Sequence, residues 1–179
     1  IINPADAVEA RAAVEAAINF KGPVYLRFGR LAVPVIYDEN TYKMEIGKGI
    51  KMADGKDVTI IATGITVAMA LEARTLLASE GIDAAVVNIH TIKPLDRELV
   101  ISEAGRTGAI VTAEEHNIIG GLGEAISAVT SESNPVPVLR VGIEDAFGRS
   151  GKVPALLEKY GLTSAAIAEK ARAAIALKR

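Results

Sequence analysis

Asp57-Val58-Thr59-Ile60-Ile61-Ala62-Thr63-Gly64 is the stretch that sets the fold. The run from 58 to 62 is short, β-branched and dominated by apolar residues, the pattern of a strand covered on both faces. Thr63-Gly64 turns out of it, and residues 66–79 carry a helical pattern that Gly81 ends. The same alternation then repeats. Residues 84–89 form the next strand and 94–104 the next helix, stopped near Gly105. Residues 108–113 are a strand again, Gly120-Gly121-Leu122-Gly123 leads into a helix over 124–130, and 137–141 is the last strand. Two helices close the chain, 153–160 and 163–176, the second with Thr163 as its N-cap. Strands alternating with helices give an α/β fold of three layers, α/β/α, around a mostly parallel sheet. Upstream, residues 46–52 make a strand closed by Asp54-Gly55, a hairpin signal. The sheet is therefore expected to be five-stranded and mixed, its first strand antiparallel and joined to the second by a hairpin.

The first 44 residues do not follow this rhythm. Asn3-Pro4 opens a helix over 5–18, with Asn as the N-cap and Pro at the first helical position. Gly22-Pro23 interrupts, and Val24-Tyr25-Leu26-Arg27-Phe28 forms a short strand. Residues 31–44, with Val33-Pro34-Val35 and the turn-like Asp38-Glu39-Asn40, form an ordered linker. Three parts are expected: 1–30 as the end of one domain, 31–44 as linker, and 45–179 as a domain of its own. The chain opens on Ile1 rather than Met, which suggests a piece of something larger.

Composition narrows the function. The 179 residues are half hydrophobic and carry a net charge of -2, so no strong field invites nucleic acid or an acidic membrane. There is no cysteine, which removes disulfides, thiolate metal sites and a cysteine nucleophile, and fits a cytoplasmic protein. Two histidines, His90 and His116, are too few for a histidine-rich metal cluster. No apolar run approaches the roughly 20 residues of a membrane span.

Four places could carry chemistry. Gly120, Gly121 and Gly123 sit between a strand and a helix, where backbone N–H groups can hold a phosphate, though glycines also permit close packing. Thr63 and Gly64 lie at the carboxyl end of a central strand, where open α/β sheets bind ligands, and equally suit a tight turn. Glu114-Glu115-His116 ends another strand; carboxylates beside an imidazole can move protons, and such a loop can also serve as an interdomain contact. His90 ends the strand between them and is read as structural. Arg27 and Arg30 bracket the end of the first strand and offer planar forks matched to phosphate, against the plainer role of surface ion pairs.

Taken in order, several segments resemble the transketolase family of thiamine-diphosphate enzymes. They are residues 23–30 (PVYLRFGR), 57–64 (DVTIIATG), Ile92-Lys93-Pro94-Leu95-Asp96, Glu114-Glu115-His116 with Gly120-Gly121-Leu122-Gly123, Phe147-Gly148-Arg149-Ser150-Gly151, and 156–163 (LLEKYGLT). The resemblance implies that residues 1–30 end the family's pyrimidine-binding domain and that 45–179 are its C-terminal domain. Thiamine diphosphate and Mg2+ would then serve the whole enzyme from upstream segments, with no catalytic, cofactor or metal residue expected here. It further implies an N-terminal partner or upstream domains, a homodimer of the complete enzyme, and transfer of a two-carbon ketol unit between phosphosugars. Arg30 falls where the family places an arginine that grips the substrate phosphate, and Arg27 is a second candidate. The residue before Arg30 is Gly29, where the family usually has Ser or Pro.

Three relatives within the family compete. Arg30 argues against the β subunit of 2-oxoacid dehydrogenases, whose substrates carry no phosphate. The closing segment from Phe147 to Thr163 favours transketolase, encoded as two shorter subunits, over 1-deoxyxylulose-5-phosphate synthase. Outside the enzyme class, the sheet and its loops at Thr63-Gly64 and Gly120–Gly123 could bind a regulatory ligand, or the chain could be a purely structural interface module.

Overall fold

A computed structural model describes residues 1–30 and 32–178. Among these, the elements run α1 (Ala7–Asn19), β1 (Ile50–Ala53), β2 (Val58–Ala62), α2 (Thr66–Ser79), β3 (Ala84–Asn88), α3 (Arg97–Thr107), β4 (Ile110–Asn117), α4 (Leu122–Ser133), β5 (Val138–Ile143), α5 (Val153–Lys159) and α6 (Ser164–Ala176). The strands form one sheet in the order β1-β3-β2-β4-β5. β2, β3, β4 and β5 are parallel and β1 alone is antiparallel. The expected mixed five-stranded sheet is present.

Its first connection differs from expectation. β1 pairs with β3, not with β2, so no hairpin joins the first two strands. Asp54-Gly55 instead crosses to the far side of β3. A Cβ on Gly55 would stand 2.2 Å from the backbone carbon of Ala84. Glycine is needed there because two backbones touch, a demand that looks the same in sequence as a tight turn.

Side chains alternate across the sheet and feed two cores. Val58, Ile60 and Ala62 of β2 face α2 and α6, packing with Leu77, Ile167 and Ala171. Ile61 of the same strand faces α3 and α4, packing with Val100, Leu122 and Ile126. Burying one such leucine or isoleucine contributes about 1.5–3 kcal/mol. Helices on both faces complete the three layers.

Helix ends are fixed by particular side chains. Asp96 caps α3 by accepting from the Leu99 N–H at 3.1 Å, so the helix begins after Pro94-Leu95 rather than at Pro94. It passes through Gly105 and stops at Gly108, whose φ of 67° is left-handed. Thr163 caps α6 as expected.

The N-terminal segment departs most from its sequence reading. α1 is capped by Asp6, not Asn3. Residues 1–3 run extended instead: the Ile2 N–H donates to Tyr25 O and the Asn3 N–H to His90 O, both within 2.9 Å. The segment 24–28 pairs only with Ile2, through a single bridge at Leu26, so no named strand forms there. Residues 1–3 thus tie the segment 25–27 to the exit of β3.

Three buried polar residues weld this segment to the linker and to the ends of β2 and β3. Asp6 caps α1 through Oδ1, and its Oδ2 accepts from the Ile36 and Tyr37 N–H groups at 2.8 and 3.0 Å. Glu9, fully buried, accepts from the Ala5 N–H, the Asn88 amide and the Tyr42 hydroxyl. Burial raises its pKa, opposed by those bonds from Tyr42, Ala5 and Asn88. Asn3 is 4% exposed and lies against Gly64. The linker has no regular structure across 32–44, yet Asp6 and Glu9 hold it down.

Candidate functional site

In parallel sheets the carboxyl ends of the strands are where ligands bind, and every sequence candidate here lies at that end. Whether each can take a ligand depends on which of its polar groups already have partners.

At the end of β2, the Thr63 N–H donates to Ala113 O at 3.2 Å and the Thr63 hydroxyl to Asn3 O at 3.3 Å. The Thr66 hydroxyl donates to Ala113 O at 2.7 Å. Gly64 has φ +60°, and a Cβ there would meet the Asn3 amide at 2.6 Å. The N-terminal segment therefore lies over this strand end. At the end of β3, His90 is fully buried, its Nδ1 2.9 Å from Thr91 Oγ1, and Nε2 has no partner among the described residues. Burial lowers its pKa from 6.5 to about 4, so the imidazole is neutral.

At the end of β4, Glu114 parts from its neighbours Glu115 and His116. Its carboxylate turns inward and accepts the N–H groups of Leu122 at 2.7 Å and Gly123 at 2.8 Å. These are the first free donors of α4, the groups a phosphate would use. Gly121 is needed because a Cβ would stand 2.1 Å from Glu114 Oε2, and Gly123 because one would meet Arg140 Cδ at 2.6 Å. Gly120, with φ +77°, faces open space and serves the turn alone. The signal that could have revealed this was Glu114 eight residues before a helix start with no Ser, Thr, Asp or Asn to cap it. His116 points outward, half exposed, its Nδ1 2.8 Å from Asn117 O and 4.0 Å from Glu114 Oε2.

Arg27, Arg30 and Glu115 come together. Arg27 Nη2 donates to Glu115 O at 2.5 Å, linking the N-terminal segment to β4. All three line one cleft of about 890 Å³ between the segment after residue 27, α2 and the start of α5. Lys152, which the sequence did not single out, lines it too, as do Glu72 and Glu115. None of Arg27, Arg30 and Lys152 is in an ion pair among the described residues. Three cations against two carboxylates leave one net positive charge on this concave surface, which can bind an anion.

Among the described residues no three His, Cys, Asp or Glu side chains gather to hold a metal, and the α4 donors suited to a diphosphate are taken by Glu114. Nor, among them, is any helix long and apolar enough to cross a membrane.

Comparison with known proteins agrees with this architecture. The family described as "Transketolase, C-terminal domain" matches residues 47–167. A 6-deoxy-6-sulfo-D-fructose transketolase subunit of Clostridium sp. (strain MSTE9) is 45% identical, over 96% of this chain and 53% of its own. A 1-deoxy-D-xylulose-5-phosphate synthase of Heliobacterium modesticaldum is 43% identical, over 94% of this chain and 26% of its own. Among solved structures, a split-gene transketolase in an inactive β4 tetramer superposes with a TM-score of 0.97 at 49% identity, over 99% of this chain and 58% of that one. The chain thus spans about half the length of the subunits it resembles and a quarter of the synthase. With the family's C-terminal domain matched over 47–167 and its fold reproduced, the chain belongs to the transketolase family and corresponds to its C-terminal part.

Proposed function

We propose that this chain is the C-terminal part of a transketolase made from two polypeptides, and that it anchors the phosphate end of the sugar substrate without taking part in cofactor chemistry. The anchor is Arg30, seconded by Arg27. The observation behind it is that both arginines line one cleft with no carboxylate paired to either, while Arg27 is held in place by Glu115 O. A fixed guanidinium remote from the reacting carbon positions the substrate and spends binding energy on orientation. The ketol transfer itself would use thiamine diphosphate and Mg2+ held by an N-terminal subunit, the two chains forming one unit of a homodimer. Support for two chains comes from relatives that are themselves subunits, of which this chain spans about half. Residues 1–30 would then complete the pyrimidine-binding domain, and 45–179 would be the C-terminal domain proper. Thr63-Gly64 and the Gly120–Gly123 loop, satisfied internally, would serve packing and interface rather than ligand binding.

The test uses the reconstituted enzyme with thiamine diphosphate and Mg2+. Arg30→Ala should raise KM for phosphosugars by roughly 10- to 100-fold, the loss of a charge-assisted hydrogen bond, and leave unphosphorylated substrates nearly unchanged. Equal losses on both would refute the anchor. A second reading, part of a 1-deoxyxylulose-5-phosphate synthase, has the 43% identity in its favour. Assaying the same enzyme for 1-deoxyxylulose 5-phosphate formation as well as ketol transfer separates the two.

A further inference from the structure

The cleft that holds Arg27 and Arg30 is lined by more than a phosphate can use. Ile65 at the N-cap of α2, Met69 in its first turn, Ile143 at the end of β5 and Leu156 of α5 line it with hydrocarbon, as do Val33 and Pro34. Arg27, Arg30 and Lys152 line it as well, the last from the N-cap position of α5. Glu72 and Glu115 also line it, so three cations face two carboxylates and one positive charge is left over. A sugar carries a hydroxyl on nearly every carbon and needs a donor or acceptor for each when it is enclosed. The aliphatic side chains of the lining offer none and gain instead from being covered by hydrocarbon.

We infer that the cleft takes an amphiphilic anion of small size: a phosphate head on Arg30 and Lys152, and a short hydrocarbon tail across Ile65, Met69 and Leu156. The inference rests on the anchor reading, because the same Arg30 would hold the sugar phosphate. The two ligands therefore exclude one another, and the amphiphile competes with the phosphorylated donor. Its source is a soluble metabolite carrying one phosphate on a short apolar chain.

Steady-state ketol transfer by the reconstituted enzyme tests it, with the phosphorylated donor varied against inorganic phosphate, n-hexyl phosphate and 1-hexanol. Each methylene laid on apolar surface is worth up to roughly fourfold in affinity. Hexyl phosphate should therefore inhibit competitively with a Ki at least about tenfold below that of inorganic phosphate, and hexanol should not compete. Leu156→Asn should abolish that advantage while the Ki of inorganic phosphate holds. Equal Ki values for the two phosphates, or inhibition that is not competitive, would overturn the proposal. Titration calorimetry with hexyl phosphate separates the failures. If Arg30→Ala selectively impairs phosphosugars but hexyl phosphate binds no tighter than phosphate, the anchor stands and the apolar site falls. If Arg30→Ala abolishes hexyl phosphate binding yet spares phosphosugar kinetics, the cleft stands and the anchor falls.

Discussion

Replacing Gly121 by Ala should destabilise the chain through one identifiable atom. Backbone geometry does not demand glycine there: φ is -102° and ψ -160°, open to any residue. The obstacle is that the new Cβ would stand 2.1 Å from Glu114 Oε2 and 2.7 Å from its Cδ. That carboxylate cannot retreat without releasing the Leu122 and Gly123 N–H groups, both buried. A buried donor left unpaired costs about 1–3 kcal/mol, so Gly121→Ala should cost about 2–4 kcal/mol. Glu114→Ala strips both donors at once and should cost about 2–6 kcal/mol by the same measure. In that background the space is empty, and adding Gly121→Ala should cost under about 1 kcal/mol. A double-mutant cycle by urea unfolding should therefore give a coupling of about 1–3 kcal/mol. Phosphate provides a second readout. With Glu114 gone, the α4 N-terminus becomes an anion site, and phosphate at ten times its Kd would restore about 1.4 kcal/mol. Additive costs within about 0.5 kcal/mol would refute the account of the glycine loop.

Asp6→Ala should cost about 2–4 kcal/mol, since it removes the α1 cap and two anchors of the linker at Ile36 and Tyr37. Protease cleavage within residues 32–44 should quicken, and Asp6→Ser, which can keep the cap alone, should fall between. Stability should also depend on pH through two buried groups of opposite sign. His90 is held down to about 4 in the fold, so the unfolded chain takes up its proton first and stability falls by up to about 3 kcal/mol from pH 6.5 to 4. His90→Gln should flatten that slope in urea unfolding. Glu9 is pushed up by burial, so its contribution is fullest below pH 4.5 and is lost as pH rises through its folded pKa. Glu9→Gln should remove this second slope.

The fold was legible because burial on both faces writes itself into sequence. Val58–Ala62 and Ala84–Asn88 are buried at every position, and each reads as a strand without reference to anything distant. What escaped detection was set by contacts between segments far apart. Gly55 meets Ala84 across 29 positions, and Asp6 reaches Tyr37 across 31. A turn signal at Asp54-Gly55 and a capping signal at Asn3-Pro4 were the local alternatives, and both lost to tertiary packing. Asp6-Ala7-Val8-Glu9 did carry a second capping pattern, an acidic cap followed three residues on by Glu.

The candidate site was legible by position and illegible by occupancy. Strand ends could be located from the alternation, which puts Thr63, His90 and Glu115 at the carboxyl edge of the sheet, whereas Arg27 was read at the end of a strand that does not form. Which of them remain open to a ligand depends on what has already bonded to them. Asn3 covers Thr63 and Gly64, burial neutralises His90, and Glu114 fills the anion position at α4. A carboxylate supplied by the chain satisfies that helix end as well as a bound phosphate would, and the flanking glycines are required in either case. Glycine patterns therefore cannot tell a ligand loop from a self-filled one. Cations outside any ion pair can, because their hydrogen-bonding forks are not taken by a carboxylate. Arg27, Arg30 and Lys152 keep their charge on a common cleft, although 122 residues separate the last two in sequence. Among the described residues, none of the three is in an ion pair.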